Sequence, residues 1–188
     1  VRRHSVSCKV KLGAKRDGTL VAKEASIYLN TGAFSENGPG VTSRTLTRIL
    51  GPYRVPNIRV DAFCIYTNTV SAASFRSIGG PQTAWANESQ MDMMAQKLGM
   101  DPVELRRKNL LHRGEELKPK GKLLDADLFE GFDKVVDRLG WTGPTTETGG
   151  GRGIAFGVTD PGAPLASTAT VHLLSAGSVV LLFGTAEI

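Results

Sequence analysis

Two arginine-bearing segments hold the residues whose types and spacing could do chemistry. The run Phe75-Arg76-Ser77-Ile78-Gly79-Gly80-Pro81-Gln82 joins a strand-like stretch to a helical one. A cation and a glycine-rich turn set before a helix bring together unpaired backbone N–H groups, the positive end of the helix dipole and a full charge, a combination that attracts an anion. A tight turn carrying a solvated arginine would use the same residues. Arg44 lies upstream with Arg48, ahead of Gly51-Pro52-Tyr53. An arginine there can polarise a substrate carbonyl or stabilise developing negative charge; a surface position is the plainer alternative.

The remaining candidates carry less. No nucleophile-elbow pattern surrounds any serine, so no catalytic triad is legible. His4, His112 and His172 are isolated and lack metal-ligand spacing, and the two cysteines, Cys8 and Cys64, are too few and too far apart for zinc or iron–sulfur ligation. Each cysteine lies among strand residues and reads as reduced and buried. Gly149-Gly150-Gly151-Arg152-Gly153 fits neither dinucleotide nor P-loop spacing and precedes a strand rather than a helix, which suits a flexible connection.

Several elements must position these residues. Val6, Cys8, Val10 and Leu12 alternate with polar residues as a half-buried strand does, and the Lys15-Arg16-Asp17-Gly18 turn leads into a second strand from about Thr19 to Asn30. Its alternation slips between Ala22 and Ala25, which predicts a bulge. Thr31 to Gly40 reads as a loop, Thr42 to Leu50 as a short helix and Ile58 to Asn68 as a strand. Pro81 starts a helix whose Ala84, Met91, Ala95 and Leu98 share a face, with Trp85 and Met94 beside it and Gly99 at its end. Asp101-Pro102-Val103-Glu104 opens another, close to a capping box, and Asp127 to Leu139 fits a third. Arg152 to Thr159, Ala169 to Leu174 and Val179 to Phe183 read as strands, the last two joined at Ala176-Gly177. Strands, then helices, then strands again predict an α+β fold of mixed strands and helices. Residues 1–141 are expected to form a partial first lobe, 142–151 a polar, glycine-rich linker, and 152–188 the start of a second lobe.

Composition narrows the partners. The 188 residues are 40% hydrophobic and 22% charged, near the average of a globular protein. No uninterrupted apolar run approaches the ~20 residues of a membrane helix, and no charged n-region precedes an apolar one; the expectation is no membrane partner. The net charge of +5 comes from scattered basic residues, and aromatics are only 6%, against the clustering that nucleic-acid binding needs. The chain opens at Val1 in strand-like sequence and ends at Ile188 within an apolar run, so both ends read as cuts through a longer polypeptide.

The order of motifs adds a resemblance. Gly51-Pro52-Tyr53-Arg54-Val55-Pro56-Asn57-Ile58-Arg59, then Tyr66-Thr67-Asn68, then Phe75-Arg76-x-x-Gly79-Gly80-Pro81-Gln82 resemble the xanthine dehydrogenase/aldehyde oxidase family. So do Glu88, Asp92, Ala95, Leu98-Gly99-Met100-Asp101-Pro102, Arg106 and Asn109, with Arg3-His4 before them and Gly184-Thr185-Ala186-Glu187 after. The resemblance implies the molybdenum-cofactor-binding large subunit of a cytoplasmic oxidoreductase. Such an enzyme hydroxylates an N-heterocycle or aldehyde with oxygen from water, using molybdenum on molybdopterin, in bacterial members usually the cytosine dinucleotide form. It implies iron–sulfur clusters and FAD on other domains or subunits. Residue by residue, Phe75, Arg76 and Ser77 match the cofactor-wrapping segment, Arg44 a substrate-polarising arginine, and Ile78 a position where purine-oxidising members keep a stacking phenylalanine. Ser77 replaces the usual glycine. An isoleucine offers no π-face, which argues against a flat purine.

The resemblance also implies parts not present: a glutamine-bearing loop before Val1, a Gly-Gln-Gly loop after Ile188, and the general-base glutamate, which no carboxylate here matches. The expectation is a chain inactive alone, completed by the remainder of the large subunit. A diverged, non-catalytic scaffold of the same fold is the alternative, with Ser77 and Ile78 as marks of a lost site.

Overall fold

The computed structural model describes residues 2–144, 149–159 and 169–183. Strand β1 (Ser5–Ala14) turns through Asp17-Gly18 into β2 (Leu20–Gly32). The turn closes because Gly18 takes a φ of 84° and the Asp17 carboxylate accepts from the Thr19 amide and hydroxyl, each at 3.0 Å. The strands pair antiparallel, Cys8 opposite Ile27 and Val10 opposite Ala25. The irregularity expected between Ala22 and Ala25 lies instead at Val21: Gly13 faces Ala22 and Ala14 faces Leu20. From Ala22 onward the alternation is unbroken, because Lys23 points inward. It is 5% exposed, and its Nζ donates to the Ile49 carbonyl at 2.7 Å and to Asn87 Oδ1 at 2.6 Å. An inward lysine mimics a slip in a hydrophobic pattern.

The segment expected as a loop over 31–40 is shorter than that, since β2 runs to Gly32 and helix α1 (Gly38–Arg48) begins four residues before Thr42. Pro39 suits the first turn, where its missing N–H costs nothing. Gly38 is there for space: a Cβ would lie 2.5 Å from Thr31 Oγ1 and 2.8 Å from Cys64 Sγ. Strand β3 (Asn57–Tyr66) then pairs parallel with β2, a pairing that requires a crossover such as α1 provides. The sheet order is β1-β2-β3. Cys8 and Cys64 stand on its two outer strands as free, half-buried thiols, less enclosed than expected.

Helices α2 (Gly80–Leu98), α3 (Pro102–Asn109) and α4 (Leu128–Leu139) follow. Asp101 caps α3 through the Val103 and Glu104 amides, and Asp127 caps α4 through Phe129 and Glu130. Gly99 and Gly140 end α2 and α4 in the left-handed conformation. Two apolar clusters form. One joins Ala25, Ile27 and Leu29 of the sheet to Val41, Ile49, Leu50 and Ala86. The other joins Leu20, Tyr53 and Val55 to Met91, Ala95, Val103, Leu105, Leu110 and Phe132, so the early strands and the later helices share a core as expected. Met91 and Ala95 are 1% and 0% exposed, whereas Trp85 faces solvent.

Between the clusters lies buried charge. Arg106 is fully buried; its Nε and Nη1 reach Glu88 Oε2 and Asp92 Oδ1, each at 2.8 Å, and Tyr53 donates its hydroxyl to Glu88. Burial, reinforced by the Glu88 carboxylate, pushes the Tyr53 phenol well above its ordinary range, so it remains a donor. Asn109 accepts from the Leu20 amide at 2.9 Å and donates to the Gly18 carbonyl at 2.9 Å, tying α3 to the first hairpin.

The strand expected over Arg152 to Thr159 pairs with no other among the described residues. Its alternation is real but has another cause: Ile154 and Phe156 face the second cluster, where the Phe156 ring centroid lies 5.1 Å from that of Phe132. The connection expected over 142–151 lies partly outside the described residues. Strands β4 (Ala169–Leu173) and β5 (Val179–Phe183) form a two-stranded hairpin, closed by Gly177 at φ 77°. No helix of the described residues is long and apolar enough to cross a membrane.

Lys23 makes the core pH-sensitive. Burial holds its pKa down to about 8, against the opposing pull of the Glu88 carboxylate. An amine depressed in the folded state is destabilising while protonated, and the unfolded chain, titrating near ~10.4, holds more protons between those values. Stability contributed at this site should therefore rise as pH climbs through about 8 towards ~10.4. The unfolding free energy of the native chain relative to Lys23→Met, from urea titrations at low and high pH, should grow by roughly 3 kcal/mol across that window. A pH-independent difference would show that the ammonium is not desolvated.

Candidate functional site

The motif singled out in the sequence forms a looped platform between α1, β1 and the start of α2. Ser77, Ile78 and Gly79 have φ angles of 67°, 30° and 80°, three successive residues in or near the left-handed region. The chain therefore coils on itself: the Ile78 amide donates to the Phe75 carbonyl at 2.8 Å and the Gly80 amide to the Ser77 carbonyl at 2.7 Å. A β-branched residue at positive φ is costly and persists only where its surroundings hold it.

Here they do so from three sides. From α1, the Arg48 guanidinium donates through Nη1 to the Ser77 carbonyl and, at 2.7 Å, to the Ile78 carbonyl. Thr45 packs beneath Gly79 so closely that a Cβ there would lie 2.2 Å from its hydroxyl. From the chain before β1, Arg3 donates to the Arg76 carbonyl at 2.7 Å while its guanidinium lies 4.5 Å from the Phe75 ring centroid. From α2, the Thr83 hydroxyl bonds back to the Gly79 and Gly80 carbonyls at 3.2 and 2.9 Å, and Gln82 Nε2 donates to the His4 carbonyl at 3.0 Å.

What this clamp presents is the exposed face of the loop. Phe75 is 47% exposed, and Arg76 and Ser77 are also exposed. Helix α2 starts from Gly79 with no side-chain cap on its first amides. An exposed guanidinium and a hydroxyl thus stand side by side at the positive end of α2, donors that suit an anionic, oxygen-rich ligand. Ile78 is half-buried and packs against the first apolar cluster. Arg44, half-buried on α1, precedes Arg48 by one helical turn and so shares its side of the helix. Structure thereby links the two arginine segments that sequence reading had left separate, and the link is Arg48, to which no role had been given. The four-residue spacing from Arg44 was its only signal.

Beside the loop, Arg3, His4, Pro81, Gln82 and Trp85 line part of a groove of about 510 Å³. His4 Nε2 and Gln82 Oε1 are buried there without a hydrogen-bond partner among the described residues. Burial, with Arg2 nearby, lowers the His4 pKa and favours the neutral imidazole. Among the described residues, no group of three or more histidine, cysteine or carboxylate side chains is arranged to hold a metal ion.

Residues 1–110, which contain both arginine segments and the whole clamp, match the family model of the molybdopterin cofactor-binding domain. The chain belongs to that family. This molybdopterin-domain chain is 37% identical over 139 residues to the nicotinate dehydrogenase large molybdopterin subunit of Eubacterium barkeri, covering 73% of itself and 32% of that protein. It is 41% identical over 130 residues to the aldehyde oxidoreductase of Megalodesulfovibrio gigas, covering 69% of itself and 14% of the relative. The crystal structure of the aldehyde oxidoreductase from Desulfovibrio desulfuricans superposes with a TM-score of 0.77 at 31% identity, covering 95% of this chain and 21% of that one. The α+β fold read from the sequence is thus that of this family, and the chain spans a third or less of the length of these relatives.

The clamp makes the loop sensitive to one methyl group. Gly79→Ala adds a Cβ at positive φ and directly against Thr45. Left-handed backbone costs a non-glycine residue roughly 1–2 kcal/mol, and overpacking about 1–3 kcal/mol more. Urea unfolding of the Gly79→Ala molybdopterin-domain chain should therefore show a loss of about 2–5 kcal/mol. Wild-type stability would mean that the loop conformation described here is not the one adopted.

Proposed function

We propose that this chain is the part of a molybdenum hydroxylase large subunit that wraps the molybdopterin cofactor and forms one wall of the substrate pocket. The clamped loop at the start of α2 carries the reading: held from behind by Arg3 and Arg48, it sets Phe75, the Arg76 guanidinium and the Ser77 hydroxyl on an exposed face. Those residues fit the group. Molybdopterin is an anionic, oxygen-rich ligand, and it binds its metal through its own sulfurs, so the protein need supply no ligand cluster. The cytosine dinucleotide form is the one proposed. When bound, the cofactor supplies the centre at which oxygen from water is added to a carbon and two electrons are removed.

This chain's residues then divide the work. Arg76, with the backbone at Phe75 and Ser77, holds and orients the cofactor. Arg44 polarises a carbonyl or imine of the substrate and stabilises the negative charge that develops there. Ile78 contributes an aliphatic wall that cannot stack, and the substrate is an aldehyde or an N-heterocycle, not a purine held by π-contact. The general-base glutamate lies on the rest of the large subunit, and iron–sulfur clusters and FAD on other domains or subunits carry the electrons away in the cytoplasm. Residues 1–141 form the first lobe, 142–151 the connection and 152–188 the beginning of a second, so this chain alone does not turn over substrate.

Two substitutions in the intact enzyme test the reading. Arg44→Met should lower kcat by roughly 10²–10³ while molybdenum content and Tm stay near wild type. Full activity at equal molybdenum loading would return Arg44 to a structural role. Ile78→Phe should move kcat/KM towards flat heteroaromatic compounds and away from aliphatic aldehydes, by a graded ~10-fold to 200-fold at most. An unchanged ranking across a substrate panel would assign Ile78 to the apolar core alone.

A further inference from the structure

We infer that Arg48 is a positioning residue that locks the cofactor-facing loop in its left-handed form, an inference that rests on the reading of that loop given above. Successive carbonyls of extended chain point in opposite directions and cannot share one donor. Those of Ser77 and Ile78 converge on Arg48 Nη1 because both residues have positive φ. The guanidinium and the backbone conformation therefore require each other. Without the cation, the inward-turned Ile78 carbonyl would lose its donor and the Ser77 carbonyl would fall back on the Gly80 amide, so the unfavourable φ of a serine and a β-branched residue would be held less firmly. The relaxed loop would rotate the Phe75–Ser77 backbone, which is the part assigned to the cofactor.

Three observations separate this role from ordinary core packing. Arg48 is 5% exposed although it is the last residue of α1, where a basic side chain would normally remain in water. Its second arm, Nη2, donates to the Thr159 hydroxyl at 3.3 Å, so one side chain joins α1, the loop and the extended segment after the linker. Finally, it stands one turn from Arg44, which places the proposed substrate arginine and the loop on a single rigid helix. A planar guanidinium can bridge these partners in fixed directions, whereas methionine of similar length can bridge none.

The test uses the intact enzyme and the variants Arg48→Met and Arg48→Met/Ser77→Gly. Glycine at 77 removes the penalty on positive φ and restores no contact of Arg48. In Arg48→Met, amide hydrogen exchange over residues 75–80 should accelerate at least tenfold relative to the α2 amides, the Mo(V) EPR spectrum should change its g-values, and kcat should fall at least tenfold. In the double variant, the wild-type spectrum and at least a third of kcat should return. Unchanged exchange and EPR in Arg48→Met would overturn the inference. So would a loss of activity that follows Tm and is not recovered by Ser77→Gly, because that would make Arg48 a stabilising residue only. Failure of the underlying reading would look different: the wild-type enzyme itself would hold no molybdenum, while the exchange measurement would still report on the clamp.

Discussion

Everything that positions the site hangs on the buried ion pair of Glu88 and Arg106. The two residues come from consecutive helices, and Arg106 is wholly removed from water. A buried guanidinium without a partner would be destabilising by several kcal/mol, on the order of 3–5. The structure gives every nitrogen a partner: Nε goes to Glu88 Oε2, Nη1 to Asp92 and the Pro102 carbonyl, and Nη2 to the Glu88 carbonyl. Because Tyr53 donates to the same Glu88 carboxylate, the connection after α1 is held by the pair as well. The pair does less for net stability than for geometry, since it admits one relative placement of α2, α3 and Tyr53.

That placement is what makes α2 a fixed post. One turn of α2 carries Asn87, which accepts from Lys23 of the sheet, next to Glu88, which accepts from α3. Sheet, α2 and α3 are thus tied together at two adjacent residues near the middle of one helix. The N-terminus of the same helix is packed against α1 at Thr45 and Gly79, and the left-handed loop is built on that end. Rigidity is supplied at the middle and displayed at the tip. A loop with two non-glycine residues at positive φ needs such a base, because a mobile helix would let it relax.

Charge is used twice in this way, with different accounting. The Glu88–Arg106 pair is neutral overall and internally satisfied, whereas Lys23 is a desolvated cation bound to neutral acceptors, which is why its pKa is depressed. Arg48 resembles Lys23 in this respect: it too is buried and donates to carbonyls at the edge of the site. Helix α1 and strand β2 therefore each send one cation inwards to hold backbone oxygen atoms that no secondary structure satisfies.

Much was legible in the sequence because it depends on neighbours. Alternation at Val6 to Leu12, the Asp17-Gly18 turn, the Asp101 cap and the glycine stop at 99 are local effects, and each appears where the residues indicate. The order of motifs from Tyr53 to Asn109 likewise specified the family, since residues that must meet in one core leave their spacing in the chain. What only the tertiary structure decided involves partners far apart in sequence. Lys23 turns inward because Asn87, 64 residues away, accepts from it. Residues 152–159 alternate because two of them meet Phe132 and its neighbours, not because a strand pairs with them. Arg48 becomes part of the site because Ile78, 30 residues later, turns its carbonyl towards it. A side chain's type announces what it can bond to. Which bond it makes is settled by which buried atoms lack any other partner once the chain has closed.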